Sequence, residues 1–191
     1  IKCHTKSTSE ELPLAQVIAN INNIGDMYLI GEGGSGKTTA LYSIMQDTYK
    51  GQMYPTKYSE KITIPLFIEL SKAPDICGKA YQEGHSTFIQ RYIYLLIKSA
   101  QQKGEMLTED KNAVREVFGN SNSYEQDDIV STVNHLLKED NGVQYLLLLD
   151  GLNEVSRKEL AFAESSATVV ELIINEIREL QEYSNVTVVI T

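Results

Sequence analysis

Apolar residues recur along this chain with two periods, one helical and one strand-like. From Pro13 onward Leu14, Val17, Ile18 and Ile21 fall at i, i+3, i+4 and i+7, which predicts an amphipathic helix with proline near its first turn. Asn22-Asn23-Ile24-Gly25 breaks it, and Met27-Tyr28-Leu29-Ile30 predicts a short buried strand. The glycine-rich stretch Gly31–Gly36 ends that strand. A helix is predicted to begin at Gly36-Lys37, with Ala40, Leu41, Ile44 and Met45 on its inner face. A tyrosine- and lysine-containing loop over 48–60 leads to a second strand, Ile62–Leu70. Its Pro65 favours a sheet edge, because proline cannot donate to a ladder.

Residues 71–142 alternate between helical and irregular patterns. Phe88, Tyr92, Leu95 and Leu96 mark one amphipathic helix, and Ile129, Val133, Leu136 and Leu137 mark another. Glu109-Asp110-Lys111 and Gly119–Ser123 read as solvated connections. Val143–Leu149 is nearly continuous in apolar residues, the pattern of a parallel strand covered on both faces. The stretch 157–182 predicts a long helix with Val170, Ile173, Ile174, Ile177 and Leu180 inward, and Val186–Ile190 predicts a fourth strand. Strands separated by helices imply an α/β fold with a mostly parallel sheet. No internal repeat or low-complexity tract interrupts this order.

Composition narrows the class. With 191 residues the chain has the length of about one domain, at roughly 100–200 residues each. Its 42% hydrophobic and 23% charged residues are ordinary globular usage and exclude wholesale disorder. Seventeen basic against 26 acidic residues leave a net charge of −9, which argues against a nucleic-acid binder or a binder of anionic membranes. The longest aliphatic run, Leu146–Leu149, is far short of the roughly 20 residues that span a bilayer. Cys3 and Cys77 fit neither a disulfide framework nor a zinc spacing, and isolated thiols suit a reducing, cytoplasmic setting. The polar residues 1–12 read as a frayed leader without a secretory pattern. Beginning at Ile1 and ending after an apolar strand at Thr191, the chain is expected to be a piece of a longer polypeptide.

One segment carries chemistry. Gly31-Glu32-Gly33-Gly34-Ser35-Gly36-Lys37-Thr38 satisfies the phosphate-loop pattern G-x-x-x-x-G-K-[ST], with a predicted strand before it and a helix after it. Glycines let successive backbone N–H groups curl into a nest for phosphate oxygens, and the positive end of the following helix favours anions. Glu32 and Ser35 contribute mainly backbone donors. Lys37 supplies a mobile charge to the β- and γ-phosphates, and the Thr38 hydroxyl suits one Mg²⁺ position.

A partner acid is expected at the carboxyl end of another buried strand, where ligands of open α/β sheets bind. Asp150 directly follows Leu146–Leu149 and suits Mg²⁺, directly or through water. Gly151 allows a tight turn after it. Glu154 could then act as base or orienter for an attacking water, and Asn153 could orient that water without taking its proton.

Together, Gly31–Thr39 and Leu146-Leu147-Leu148-Leu149-Asp150-Gly151-Leu152-Asn153-Glu154 resemble the NACHT module of the signal-transducing (STAND) P-loop ATPases. Ile64–Leu70 is similar to that family's strand between the two motifs, and Val186–Thr191 to the strand that runs into a Thr-Ser-Arg sensor. The resemblance covers about residues 13–191. It implies a P-loop NTPase three-layer sandwich whose core strands, counted from the one before the loop, lie in the order 2-3-4-1, with the family's fifth strand missing. It implies ATP or ADP with Mg²⁺ as ligands, Gly31–Thr39 including Thr39 around the phosphates, and slow ATP hydrolysis in the full-length protein. It also implies an effector domain upstream, a repeat-type sensor downstream, and oligomerisation driven by exchange of ADP for ATP.

Departures from the family pattern set further expectations. Asn153 stands where the family usually has Asp, which removes a negative charge, and the sensor arginine and nucleotide-covering regions lie past Thr191. Weak nucleotide affinity and very slow turnover are therefore expected here, as is self-association through an exposed edge at strand 27–30. A small P-loop phosphotransferase is the alternative, disfavoured because 104–142 offers only Arg115 to a substrate lid. The charge of −9 disfavours a DNA motor, and the lack of Asn-Lys-x-Asp disfavours a GTPase. An interaction scaffold with an empty loop is the remaining reading. His4, His85 and His135 have no metal spacing, and the tyrosines, Tyr49, Tyr54 and Tyr58 among them, form no basic strip for nucleic acid.

Overall fold

A computed structural model describes residues 2–5, 26–49, 62–72, 88–101, 123–138, 142–155 and 168–191. In chain order these form β1 (Lys2–Thr5), β2 (Met27–Ile30), α1 (Lys37–Tyr49), β3 (Ile62–Glu69), α2 (Phe88–Gln101), α3 (Ser123–Lys138), β4 (Val143–Asp150), α4 (Val169–Leu180) and β5 (Val186–Ile190). Short 3₁₀ turns follow β3 at Leu70–Lys72 and β4 at Leu152–Glu154. The predicted helix over 13–21, Cys77, His85, Arg115, the connections at 109–111 and 119–122, and the 157–167 part of the long helix lie outside the described residues. Contacts divide the chain into two compact units, the first comprising Ile1–Leu70, Asp140–Asn153 and Gln181–Thr191, the second Ser71–Glu139 and Glu154–Leu180.

The first unit contains the sheet, in the order β1-β2-β5-β4-β3. Four strands are mutually parallel: β3 pairs with β4, β4 with β5, and β5 with β2. Helix α1 packs on β3 and β4. Its apolar stripe of Ala40, Leu41 and Ile44 meets Met27 and Leu29 from β2, Leu146 and Leu148 from β4, and Val189 from β5. Met45 and Phe67 are partly buried against the same cluster, and Tyr42 of α1 stacks on Phe67 of β3 with ring centroids 4.6 Å apart. Tyr145 to Leu149 are all buried, which is why β4 reads as a continuous apolar run rather than an alternating one. Pro65 lies on β3, an edge strand, where its missing N–H leaves no gap in an inner ladder.

The expected four-strand sheet with an open edge at 27–30 is corrected by β1. The polar leader contributes Lys2–Thr5 as an antiparallel fifth strand along β2, with Cys3 opposite Leu29 and Thr5 opposite Met27. The full strand order therefore differs from the one expected. No apolar pattern marks Lys2-Cys3-His4-Thr5; the pairing satisfies backbone N–H and C=O groups, which any sequence carries. Asp26, buried at the entry to β2, accepts the backbone N–H of Val188 at 2.9 Å and so ties that entry to β5.

The described residues of the second unit are mainly helical. Phe88, Ile89, Tyr92 and Ile93 of α2 are buried, and α2 packs against α3 and α4. Val133 and Leu137 form the buried side of α3, while Val169, Leu172, Ile173, Ile177 and Leu180 form that of α4. Val170 and Ile174, expected inward, are only half-buried; Leu172 and the carboxylate-bearing Glu176 are buried instead. A donor without an intrahelical partner explains Glu176: its Oε1 accepts the N–H of Gln90 in the first turn of α2 at 2.9 Å. The Gln90 amide in turn donates to Asn134 Oδ1 at 3.0 Å, joining α2 to α3. Among the described residues no helix is long and apolar enough to cross a membrane.

Helix α4 starts in a reciprocal cap. Glu171 accepts the Thr168 N–H at 2.7 Å and its hydroxyl at 3.0 Å, while the Thr168 hydroxyl accepts the Glu171 N–H at 3.3 Å. The backbone hydrogen bond from Thr168, and then the bond from its hydroxyl, hold the Glu171 carboxyl below its ordinary value of 4.5. The folded chain thus keeps this charge further into acid than the unfolded chain. Its stabilisation is whole above the ordinary value and is lost as pH falls through the lower, folded one. Glu171→Gln is therefore expected to be less stable than wild type in urea melts near neutral pH. The difference should shrink as pH falls below the ordinary value and through the lower, folded one.

Candidate functional site

The carboxyl ends of the parallel strands and the start of α1 meet at one end of the sheet. Strand β2 stops at Ile30 because the next six residues include four glycines, and the chain turns there. The Ser35 N–H donates to the Glu32 carbonyl at 3.2 Å, and Gly34 and Gly36 take φ of 75° and 87°. Residues with a Cβ are strained in that left-handed region, so the turn needs glycine at both places. Gly36 then caps α1 with backbone alone: its carbonyl accepts the Ala40 N–H at 2.9 Å, and it has no side chain to offer. The first turn of α1 carries no acidic residue. The N–H groups of Lys37, Thr38 and Thr39 are those that a helix start leaves without intrahelical partners.

Room beside this turn is open. A Cβ built on Gly33, Gly34 or Gly36 would meet no atom within 4 Å. Lys37 bends its side chain back over the turn, its ammonium donating to the carbonyls of Gly31 at 2.9 Å and Glu32 at 3.0 Å. Both are exposed positions, so the ammonium can exchange these neutral acceptors for an anionic one.

Across from the turn, the Thr38 hydroxyl donates to Asp150 Oδ2 at 2.8 Å. The other oxygen, Oδ1, accepts the Thr191 hydroxyl at 2.6 Å. The fold thus brings Thr38 and Asp150, both candidates by their motifs, into contact. Thr191 belongs to neither motif and only ends the apolar stretch Val186–Thr191. The signal that locates it is strand alignment: Leu149 is level with Ile190, so the next residues, Asp150 at the end of β4 and Thr191 just past β5, fall side by side.

Gly151, with φ of 79°, turns the chain out of β4 into the 3₁₀ turn that carries Asn153 and Glu154. Asn153 is exposed, and so is Glu154, which groups with the second compact unit. Thr39, Gly31, Glu32, Gly33, Gly34 and Ser35 are all exposed around the turn, and Gly36 and Lys37 are half-buried.

The donor set suits a small hard cation rather than a soft one. Thr38 offers a hydroxyl and Asp150 a carboxylate, and among the described residues no group of three or more His, Cys, Asp or Glu gathers to cage a metal. Mg²⁺ fits such a site, since it is commonly held by one or two protein oxygens, with phosphate and water completing its shell. Thr38 lies in the first turn of α1, and the Lys37 ammonium is held over the glycine turn before it; a helix start and a cation together suit a phosphorylated ligand. No protein-family model, curated protein or solved structure matches this chain.

Gly36→Ala should lower stability in urea by about 1–2 kcal/mol without any ligand, from the left-handed φ alone. Gly33→Ala, at a position without positive φ and with open space, should stay within about 0.5 kcal/mol of wild type.

Proposed function

We propose that this chain is a nucleotide-binding switch domain of the NACHT type. It would bind ATP and ADP with Mg²⁺ in the cytoplasm, and the full-length protein would hydrolyse ATP slowly. The observation that carries the reading is the 2.8 Å contact between Thr38 and Asp150. It brings the helix start after the glycine turn to the acid that the second motif supplies. An α/β fold with four parallel strands is compatible with a P-loop sandwich and supports the reading further.

In this reading each residue of the loop has a separate task. The N–H groups of Gly33, Gly34 and Gly36 to Thr38 hold phosphate oxygens, that of Ser35 being turned to the Glu32 carbonyl, with Gly34 and Gly36 giving the backbone its curl. Lys37 leaves the Gly31 and Glu32 carbonyls and moves its ammonium to the terminal phosphates. Thr38 and Asp150 hold Mg²⁺, which when bound draws charge from the phosphate oxygens. Glu154 takes the proton of an attacking water, and Asn153 orients that water. Asn153 lacks the negative charge that Asp would carry beside the metal, so turnover is slow and the state of the bound nucleotide persists. Persistence suits a switch whose output passes to an upstream effector domain and whose input comes from a downstream sensor.

Melting the chain with Mg²⁺-ADP, Mg²⁺-ATP and Mg²⁺-GTP tests this directly. Adenine nucleotide at 100 times its Kd should stabilise the fold by about 2.7 kcal/mol. Lys37→Ala should abolish the shift and leave the unliganded melt nearly unchanged. A shift that survives in Lys37→Ala would remove the phosphate assignment.

A further inference from the structure

Thr191 makes hydrogen bonds to four consecutive residues around the Asp150 turn. Its N–H donates to the Leu149 carbonyl at 2.9 Å, and its carbonyl accepts the Leu152 N–H at 3.0 Å. Between these backbone bonds, its hydroxyl donates to Asp150 Oδ1 at 2.6 Å and accepts the Gly151 N–H at 2.9 Å. An ionised carboxylate can only accept, so the hydroxyl proton must point at Oδ1. The Gly151 N–H takes a lone pair of the same hydroxyl, which fixes the direction of that proton.

Asp150 is therefore held unequally at its two oxygens. Oδ1 is tied to a half-buried hydroxyl that is itself anchored in the β4–β5 ladder. Oδ2 is tied to the exposed Thr38 hydroxyl, a contact that a cation can replace. We propose that Thr191 is a positioning residue that fixes the Asp150 carboxylate so that Oδ2 faces the Thr38 hydroxyl and is kept for Mg²⁺. This inference rests on the reading of the loop as a nucleotide site and adds a residue to it.

The hydroxyl has two consequences for the cation. It removes the rotational freedom that Asp150 would otherwise lose on binding Mg²⁺, so less ordering entropy opposes binding. It also satisfies Oδ1, so a cation at Oδ2 leaves no second oxygen seeking a partner. Hydrogen-bonding partners of metal-binding carboxylates commonly change metal affinity by about 10–100-fold.

The experiment is an Mg²⁺ titration of the ADP-induced thermal shift, at saturating ADP, on wild type, Thr191→Val, Thr191→Ser and Lys37→Ala. A parallel measurement of ADP binding in EDTA reads the phosphate loop without metal. Thr191→Val should need about tenfold or more additional Mg²⁺ for half its Mg²⁺-dependent shift, with metal-free ADP binding unchanged. Thr191→Ser, which keeps the hydroxyl, should return the midpoint close to wild type. A role in packing alone would instead spare the isosteric Thr191→Val, penalise Thr191→Ser, which loses a methyl, and weaken ADP binding in EDTA as well.

An unchanged Mg²⁺ midpoint in Thr191→Val overturns the inference while leaving the nucleotide site intact. If Thr191→Val does not fold, Thr191→Ala takes its place with the same expected midpoint and the same overturning result. Absence of any ADP shift in wild type, or a shift that Lys37→Ala retains, instead overturns the nucleotide reading and this inference with it.

Discussion

The Asp150 carboxylate, accepting one threonine hydroxyl on each oxygen, is the interaction on which this site depends. Thr38 reaches it from the start of α1 and Thr191 from the end of β5, while Asp150 itself ends β4. Three elements far apart in sequence thus converge on one charged group. Neither contact would form without the parallel pairing of β4 and β5, which sets Leu149 level with Ile190. Nor would Thr38 arrive without the glycine turn, which starts α1 immediately after β2.

Packing explains why that convergence is rigid. Met27, Leu29, Leu41, Ile44, Leu146, Leu148 and Val189 form one buried cluster directly beneath the turn, so α1 and three strands share a core. Loss of a buried leucine from such a cluster commonly costs about 2–5 kcal/mol, which makes sliding of α1 along the sheet expensive. The glycine turn above it has exposed residues and open space. Firm support under an accessible loop is what anion recognition requires, because the N–H groups must hold their directions as a ligand arrives. In the proposed switch, the same rigidity lets the presence of a terminal phosphate be felt at Asp150 and at the end of β5.

Much of the fold was legible because its signals are local. Leu146–Leu149 announced a strand buried on both faces, Pro65 an edge, and Ala40, Leu41 and Ile44 the inner face of α1. The site was legible for a different reason: glycine at Gly34 and Gly36 and the Lys37-Thr38 pair have few other uses after a strand. What was missed depends on partners distant in sequence. Lys2–Thr5 carries no apolar pattern, and only the free N–H and C=O groups of β2 make it a strand. Glu176 lies on the buried side of α4 because Gln90, on another helix, needs an acceptor; periodicity alone assigned that side to aliphatic residues such as Ile174. Thr191 gained its role from strand register, which no single segment encodes.

The most direct measurement of the central claim is the backbone amide spectrum of the labelled chain as Mg²⁺-ADP is added. If the turn holds phosphate, the amide signals of Gly33 to Thr38 should move most, followed by those of Asp150 and Gly151. Shifts confined to other segments, or none at saturating nucleotide, would contradict the account.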